Sequence, residues 1–261
     1  AALARGLKVF PSVGYGPAWA KDPAHVNADG KTNNDTPKAG AYQNFCQAAA
    51  ARYKGKITHW GLWNEPNLDF LESTDKNVWI NRIVIEGIKG IKAGCPSCKV
   101  LGPELASVGS VHASWFDASL KALKKAGLMY DIITWHAYST FHEIKPNLIP
   151  QCPTGDYFLH DVEKGRRCFG VLIGAKAPYE VMQDNKVSHL PFWLTETGYK
   201  APLSDTKKTG EQVTYYRRVL EEQLKRSWFS ATFYYEIVDD NNINDKWGMS
   251  VRKSGSGQKW P

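Results

Sequence analysis

The sequence lacks several patterns that would place it in a functional class at once. No apolar run approaches the roughly 18 residues that a membrane-spanning helix needs. Neither a GxGxxG segment after a strand nor a GxxxxGK[ST] loop is present, so the main sequence motifs that would indicate a nucleotide-binding fold are missing. The Gly-x-Ser-x-Gly turn of the usual serine esterases is absent too. We therefore expect no association with a membrane and no nucleotide cofactor.

Blocks of basic residues are also missing, although the formal net charge is +7. The lysines are scattered, as in Lys121, Lys124 and Lys125. A compact basic patch would indicate binding to a nucleic acid or to another anionic surface. The scattered arrangement favours an ordinary solvated surface, so we expect no nucleic-acid partner.

Cysteine is scarce, with five residues in the chain. The pair Cys95 and Cys98 resembles a redox or metal motif, but no second ligand pair follows at the short spacing of a zinc site. Because this pair lies between a predicted helix and the next strand, we expect a small loop disulfide. We expect a second disulfide between Cys152 and Cys168, and a buried free thiol at Cys46. Two disulfides predict an oxidising compartment, and hence a secreted or extracytoplasmic protein.

The composition is that of a globular domain, with 43% hydrophobic and 23% charged residues. A length of 261 residues suits one α/β barrel, so we expect a single domain over residues 1–261. Tryptophan is abundant, with ten residues. Because sugar rings present apolar C–H faces that stack on indoles, a tryptophan-rich cleft suits a carbohydrate ligand.

Short apolar runs alternate with longer segments of helical periodicity. The predicted strands span residues 7–13, 57–63, 100–103, 131–138, 192–195 and 231–237. The predicted helices span residues 37–53, 76–93, 112–125, 171–183 and 209–226, with Thr209 as a cap of the last. This alternation predicts a parallel sheet, either open or closed into a barrel. Because polar residues follow several different strands, we expect an α/β fold of the (β/α) TIM-barrel type, incomplete, with six recognisable strands.

Two glutamates occupy the positions where such a barrel keeps its chemistry. Glu65 follows the strand at 57–63, and Glu196 follows the strand at 192–195. Retaining cleavage of a glycosidic bond needs two carboxyl groups about 5–5.5 Å apart, one to protonate the leaving oxygen and one to attack the anomeric carbon. The sequence therefore predicts Glu65 and Glu196 as a catalytic pair across the barrel mouth.

The same two segments resemble the signature strands of the clan A glycoside hydrolases. In that clan an Asn-Glu-Pro sequence ends the fourth strand and supplies the general acid/base, and a glutamate that ends the seventh strand is the nucleophile. The resemblance implies that Glu65 is the acid/base and Glu196 the nucleophile. It also implies that Asn64 binds the 2-hydroxyl group of the substrate.

Other segments extend the resemblance, to families 39 and 5, over nearly the whole chain. The segment 135–138 resembles the sixth strand, which implies that Tyr138 contacts the nucleophile and that His136 lines a subsite. A hydrogen-bonding role in the core explains His136 equally well. Trp19 lies in a segment that resembles the loop after the third strand of family 39-like members, and Trp247 in one that resembles the stretch after the eighth strand.

By this resemblance the first two strands and the last helix of the barrel are missing, so the chain is a fragment or a reduced barrel. A reduced barrel exposes sheet edges, which a homodimer would cover.

Four further residues near strand ends are candidates for substrate contact: Trp63, Trp135, Tyr199 and Glu236. Glu104 also ends a strand, and for Glu104 and Glu236 a purely structural carboxylate is an equally good interpretation. We expect no metal and no organic cofactor, because double displacement by two glutamates requires neither.

The expected partner is a β-linked oligo- or polysaccharide that a retaining glycosidase hydrolyses. Two rivals stay open. One is a carbohydrate-binding protein with weak or no turnover on a truncated barrel, and the other is an esterase on the same scaffold.

Overall fold

The structure is a computed structural model that describes residues 2–25, 34–106, 110–138, 163, 167–168, 171–172, 176–202, 205–237 and 247–248. In this part of the chain, one parallel sheet contains six strands: β1 Ser12–Val13, β2 His59–Leu62, β3 Lys99–Ala106, β4 Ile132–His136, β7 Phe192–Thr197 and β8 Phe229–Tyr234. The short strands β5 Arg167–Cys168 and β6 Val171–Leu172 form a separate antiparallel pair. The order β1-β2-β3-β4-β7-β8 follows the chain. The predicted α/β fold with six parallel strands is confirmed.

Ring contacts show that the sheet is curled rather than flat. His59 on β2 stacks on Trp193 on β7, with ring centroids 5.2 Å apart. Phe10, just before β1, lies 5.6 Å from Phe233 on β8, centroid to centroid. In a flat sheet, five strand spacings of about 4.8 Å would keep β1 and β8 about 24 Å apart. The strands therefore bend into an arc around a shared interior, as in a barrel.

Helices flank the sheet on its outer side. They are α1 Ala41–Arg52, α2 Lys76–Trp79, α3 Glu86–Gly94, α4 Ser110–Lys125, α5 Pro178–Asp184 and α6 Thr206–Leu224, with a π-helical segment Ile80–Ile85 joining α2 to α3. Side chains of these helices and of the strands form one core, which includes the fully buried Trp79, Ile88 and Phe192. Among the described residues, no helix is both long and apolar enough to cross a bilayer.

Two helix predictions were wrong. The helix predicted over 171–183 begins only at Pro178, because Val171–Leu172 pairs as a strand and a proline suits the first turn of a helix. Thr209 is not the cap of α6. Asp205 takes that role, since its carboxylate accepts a hydrogen bond from the backbone N–H of Lys208 at 3.0 Å.

The cysteine predictions are confirmed where the structure describes them. Cys95 and Cys98 form a disulfide, and Cys46 is a buried free thiol. Burial raises the pKa of Cys46 to about 12, although a hydrogen bond with Tyr42 opposes the rise. Cys152 lies outside the described residues, so the second disulfide stays a prediction.

Glycines allow α3 to lie close against α1 and against the sheet. A Cβ atom on Gly90 would lie 2.3 Å from the Gln43 carbonyl oxygen of α1. A Cβ atom on Gly87 would lie 2.6 Å from the Leu62 side chain of β2. Real Cβ contacts do not occur at such distances, so larger residues would push the helices apart. This close packing supports the end of β2, from which the Glu65 segment continues.

We expect Gly90→Ala to lower the free energy of unfolding by about 1–3 kcal/mol, the usual cost of overpacking a core. The change is informative because alanine favours a helix over glycine by about 1 kcal/mol. At the exposed Gly210 of α6, an added Cβ would meet nothing within 4 Å. Gly210→Ala should therefore raise the free energy of unfolding. Urea denaturation followed by circular dichroism compares the two variants, and equal stabilisation by both would contradict the tight packing of α3 on α1.

Candidate active site

Carboxylates and one histidine meet at the carboxyl ends of the parallel strands. Glu65 follows β2, Glu104 lies near the end of β3, His136 ends β4 and Glu196 lies near the end of β7. Because these strands are parallel, their ends lie at one edge of the curled sheet. Residues that are far apart in the sequence are thereby brought into direct contact.

His136 is the centre of this cluster. Its side chain is only 4% exposed, and both ring nitrogens have carboxylate partners. Nδ1 lies 2.9 Å from Glu65 Oε1 and 3.4 Å from Glu196 Oε2. Nε2 lies 3.0 Å from Glu104 Oε2. One imidazole ring therefore links three glutamates from three different strands.

The carboxylates change the protonation of this histidine. Burial by itself lowers the pKa of His136, but hydrogen bonds with Glu104 and Glu65, together with the charge of Glu196, raise it to about 10. At neutral pH the ring therefore carries two N–H groups and a positive charge. A cation in this position offsets the repulsion between the two glutamates at the mouth.

Besides its ion pair with His136, Glu196 has a hydrogen-bond donor in Tyr138, whose hydroxyl group donates to Oε1. Burial raises the pKa of Glu196, while His136 and Tyr138 oppose the rise. Burial and the nearby Glu196 charge raise the pKa of Tyr138 far above its usual range, so the phenol keeps its proton. The Tyr138 ring packs edge-on against Trp247, with centroids 5.1 Å apart. Tyr138 thus contacts the expected nucleophile, as the sequence predicts.

The Glu65 segment adopts an unusual backbone conformation. Trp63 and Glu65 have φ values of 64° and 41°, in the left-handed region that non-glycine residues rarely adopt. Such residues cost about 1–3 kcal/mol each and persist only where neighbours hold them. The N–H of Glu65 donates to the Glu104 carbonyl at 2.9 Å, and the Asn67 amide makes two 3.0 Å hydrogen bonds with the backbone of Ala106. The end of β3 therefore fixes the position of Glu65.

Sequence reasoning missed Tyr15, which lies two residues after β1. Burial raises the pKa of Tyr15, a hydrogen bond with Asn64 lowers it, and the charges of Glu65 and Glu196 raise it further. Tyr15 is 42% exposed, so its ring also faces solvent. Tyr15 follows a strand as the other site residues do, so the same sequence signal could have identified it.

The four tryptophans that were predicted to contact the substrate differ in their exposure to solvent. Trp63 and Trp135 are each 1% exposed and pack in the core, so neither presents an indole face to a ligand. Both apolar rings support the site from within the fold. Trp19 is 74% exposed, with the Lys38 ammonium group 5.9 Å from its ring centroid. Trp247 is half-buried beside Tyr138.

The remaining two candidates lie near Trp247. Tyr199 donates a hydrogen bond to Glu211 at 2.6 Å and packs on Tyr215. The backbone N–H of Glu236 donates to the Trp247 carbonyl at 3.4 Å. Glu236 therefore contacts Trp247 through its backbone, and Tyr199 contacts α6 through its side chain.

The same cluster has the spacing of a metal site. One ligand atom each from Glu65, His136 and Glu196 lie within 4.8 Å of one another, which is a spacing that a cation could bridge. A metal bound there through His136 Nδ1 would have to displace the proton on that atom.

Comparisons with known proteins give matches in structure alone. No family model matches the sequence, and no curated protein matches it. A monomeric β-xylosidase from Caulobacter crescentus CB15 matches with a TM-score of 0.60 at 22% identity, over 96% of this chain and 51% of that chain. A GH39 enzyme from Xanthomonas axonopodis pv. citri matches with a TM-score of 0.59 at 20% identity, over 94% of this chain and 46% of that one.

A GH10 protein from Paenibacillus barcinonensis matches with a TM-score of 0.54 at 14% identity, over 94% of this chain and 72% of that one. This chain spans about half the length of the first two structures. At these identities the likeness establishes the fold alone, which is an α/β fold of the TIM-barrel type.

The protonation of His136 predicts how stability depends on pH. Its pKa is raised from 6.5 to about 10 in the folded protein. The histidine therefore contributes stability that is fully present below pH 6.5 and is lost as pH rises through 10. We expect the free energy of unfolding, measured in urea between pH 6.5 and 10, to fall more steeply in the wild type than in His136→Gln. The control is His189→Gln, at an exposed histidine outside the site, which should keep the wild-type slope. Equal slopes in wild type and His136→Gln would contradict the assignment.

Proposed function

We propose that the protein is a retaining glycoside hydrolase that cleaves β-linked oligo- or polysaccharide by double displacement. The observation that carries this proposal is the approach of Glu65 and Glu196, whose nearest carboxylate oxygens lie within 4.8 Å of each other. Retaining enzymes hold their two carboxyl groups about 5–5.5 Å apart, whereas inverting enzymes leave about 6.5–9.5 Å for a water molecule. The separation here supports retention.

In the first step, protonated Glu65 gives its proton to the leaving glycosidic oxygen while Glu196 attacks the anomeric carbon. The carbon–oxygen bond to the leaving group breaks as the ester bond to Glu196 forms. Tyr138 donates to one oxygen of Glu196, and His136 lies 3.4 Å from the other. The Tyr138 hydrogen bond and the His136 charge orient the carboxylate for attack.

In the second step, a water molecule attacks the anomeric carbon of the glycosyl ester, and Glu65 removes its proton. The ester bond breaks and Glu196 leaves as a carboxylate, which Tyr138 stabilises by a hydrogen bond and His136 by its positive charge. Asn64, next to Glu65, is assigned to the 2-hydroxyl group of the sugar. No metal or organic cofactor takes part in either step.

Aromatic residues that follow β1, and one that packs on Tyr138, suit a sugar substrate. Trp19 is 74% exposed and Tyr15 is 42% exposed, so both offer ring faces to a ligand. Trp247 packs against Tyr138, which donates a hydrogen bond to Glu196. One of the structures with the same fold is a β-xylosidase, which supports a β-linked substrate for this chain as well.

The expected location also belongs to this proposal. The Cys95–Cys98 disulfide supports an oxidising compartment, and secretion would place the protein beside extracellular polysaccharide. A homodimer that covers the sheet edges stays a prediction.

Trapping the covalent intermediate tests the nucleophile. We expect incubation with a panel of 2-deoxy-2-fluoro glycosyl fluorides to add the mass of one sugar to the protein, on the peptide that contains Glu196. The fluorine slows hydrolysis of the ester, so the adduct accumulates and intact-mass spectrometry detects it. Glu196→Gln should form no adduct. Sugar affinity without any adduct in a folded chain would instead support the carbohydrate-binding rival.

The leaving group tests the acid role of Glu65. We expect Glu65→Gln to lower kcat/KM by about 10²–10⁴-fold on glycosides with poor leaving groups, the usual contribution of a general acid. On a 2,4-dinitrophenyl glycoside the first step needs no protonation, so its loss should be much smaller. An equal loss on both substrates would be inconsistent with Glu65 as the acid.

A further inference from the structure

Glu104 lies deeper than the two glutamates of the proposed reaction. Its side chain is 1% exposed, compared with 12% for Glu65 and 25% for Glu196. A carboxylate this deep has no access to a sugar in the mouth. Burying a charge is costly unless it is paired and hydrogen-bonded, so its partners indicate its role.

The carboxylate of Glu104 binds its partners through a single oxygen. Oε2 lies 3.0 Å from His136 Nε2 and accepts a hydrogen bond from the Thr195 hydroxyl group at 2.6 Å. Oε1 is buried and has no hydrogen-bond partner among the described residues. The space for Oε1 exists because residue 61 is glycine, where a Cβ atom would lie 2.8 Å from it. His136 is thus the cation that pairs with this buried carboxylate.

The backbone of Glu104 holds a second part of the site. Its carbonyl group accepts the N–H of Glu65 at 2.9 Å, and its own N–H donates to the Thr134 hydroxyl group at 3.1 Å. The φ value of Glu104 is 55°, in the left-handed region. One residue of β3 therefore contacts both the segment that carries the expected acid and the histidine beside it.

We propose that Glu104 is a positioning residue: its buried carboxylate keeps His136 oriented and doubly protonated, so that Nδ1–H donates to Glu65 and the positive ring lies beside Glu196. The effect of Glu104 on turnover rests on the proposed glycosidase function, whereas its effect on the orientation and protonation of His136 does not. The titratable groups that face His136 are Glu65 after β2, Glu104 on β3 and Glu196 on β7.

This arrangement has a consequence for each step of the proposed reaction. Before attack, the positive charge of the ring lets two carboxyl groups lie within 4.8 Å of each other. Once Glu196 is esterified, its negative charge is gone, and the ring still donates Nδ1–H to Glu65. This donor holds the Glu65 carboxyl group in place while it accepts a proton from water.

Glu104→Gln tests the proposal, because it removes the charge and keeps the shape. NMR of ¹⁵N-labelled histidine, with the His136 signals assigned from His136→Gln, follows both ring nitrogens from pH 5 to 10.5. We expect the wild-type ring to stay doubly protonated until about pH 10 and the Glu104→Gln ring to lose a proton at clearly lower pH. We also expect kcat/KM to fall about 10- to 100-fold, as for a lost charge-assisted hydrogen bond, with a new pH dependence that follows His136.

Two control variants separate positioning from loss of stability. Glu222→Gln changes another buried glutamate, which pairs with Arg226 and Lys225 away from the site, and it should change neither the His136 titration nor kcat/KM. Thr195→Val removes the other donor to Glu104 and should leave His136 doubly protonated at pH 7. Glu104→Asp, which restores the charge, should recover part of the wild-type titration.

The result that overturns the proposal does not depend on the folding of any Glu104 variant: a wild-type His136 that carries only one ring proton at pH 7. An unchanged titration and kcat/KM in folded Glu104→Gln would overturn it equally. If no glycoside is turned over while His136 titrates as expected, the proposed glycosidase function and the effect of Glu104 on catalysis are both wrong. The effect of Glu104 on the orientation and protonation of His136 is then still supported.

Discussion

The structure depends on one buried cation among three carboxylates. Two glutamates at about 5 Å repel each other, and in a poorly hydrated site this repulsion would drive them apart or leave one of them protonated. The imidazolium of His136 offsets that repulsion because both of its N–H groups point at carboxylate oxygens. The close approach of Glu65 and Glu196 is thus a property of the whole cluster. It also explains why the cluster is built from strand ends, where rigid backbone can hold like charges together.

Much of the fold could be predicted from the sequence. Six strands alternate with helices, and each predicted strand has a counterpart in the sheet. Glu65 and Glu196 were identifiable because a carboxylate directly after an apolar strand is unusual, and parallel strands bring such positions together. The start of α5 and the cap of α6 were not predicted well. A residue such as Asp205 or Thr209 can cap a helix from several positions, and tertiary packing decides among them.

The role of Glu104 could not be predicted, and the reason is geometric. A regular strand points alternate side chains to opposite faces, but the pairing of β3 with β4 is irregular between Gly102 and Leu105. Glu104 lies within this irregularity and has a left-handed backbone conformation. The periodicity of the sequence does not predict such an irregularity. For the same reason Trp63 and Trp135 were assigned to the cleft, although both indoles pack inside the fold.

Formation of the site therefore depends on the register of the strands more than on the shape of the barrel. A strand that slipped by one residue would turn its polar side chain to the opposite face, among the apolar helices. His136 would then lose its counter-charges, or Glu104 its pairing with the His136 cation, and a bare charge would be left in an apolar environment. A barrel with a shifted strand could keep nearly the same apolar core, but its unpaired buried charges would raise its free energy. The paired charges of the cluster therefore stabilise the observed strand register over one shifted by a residue.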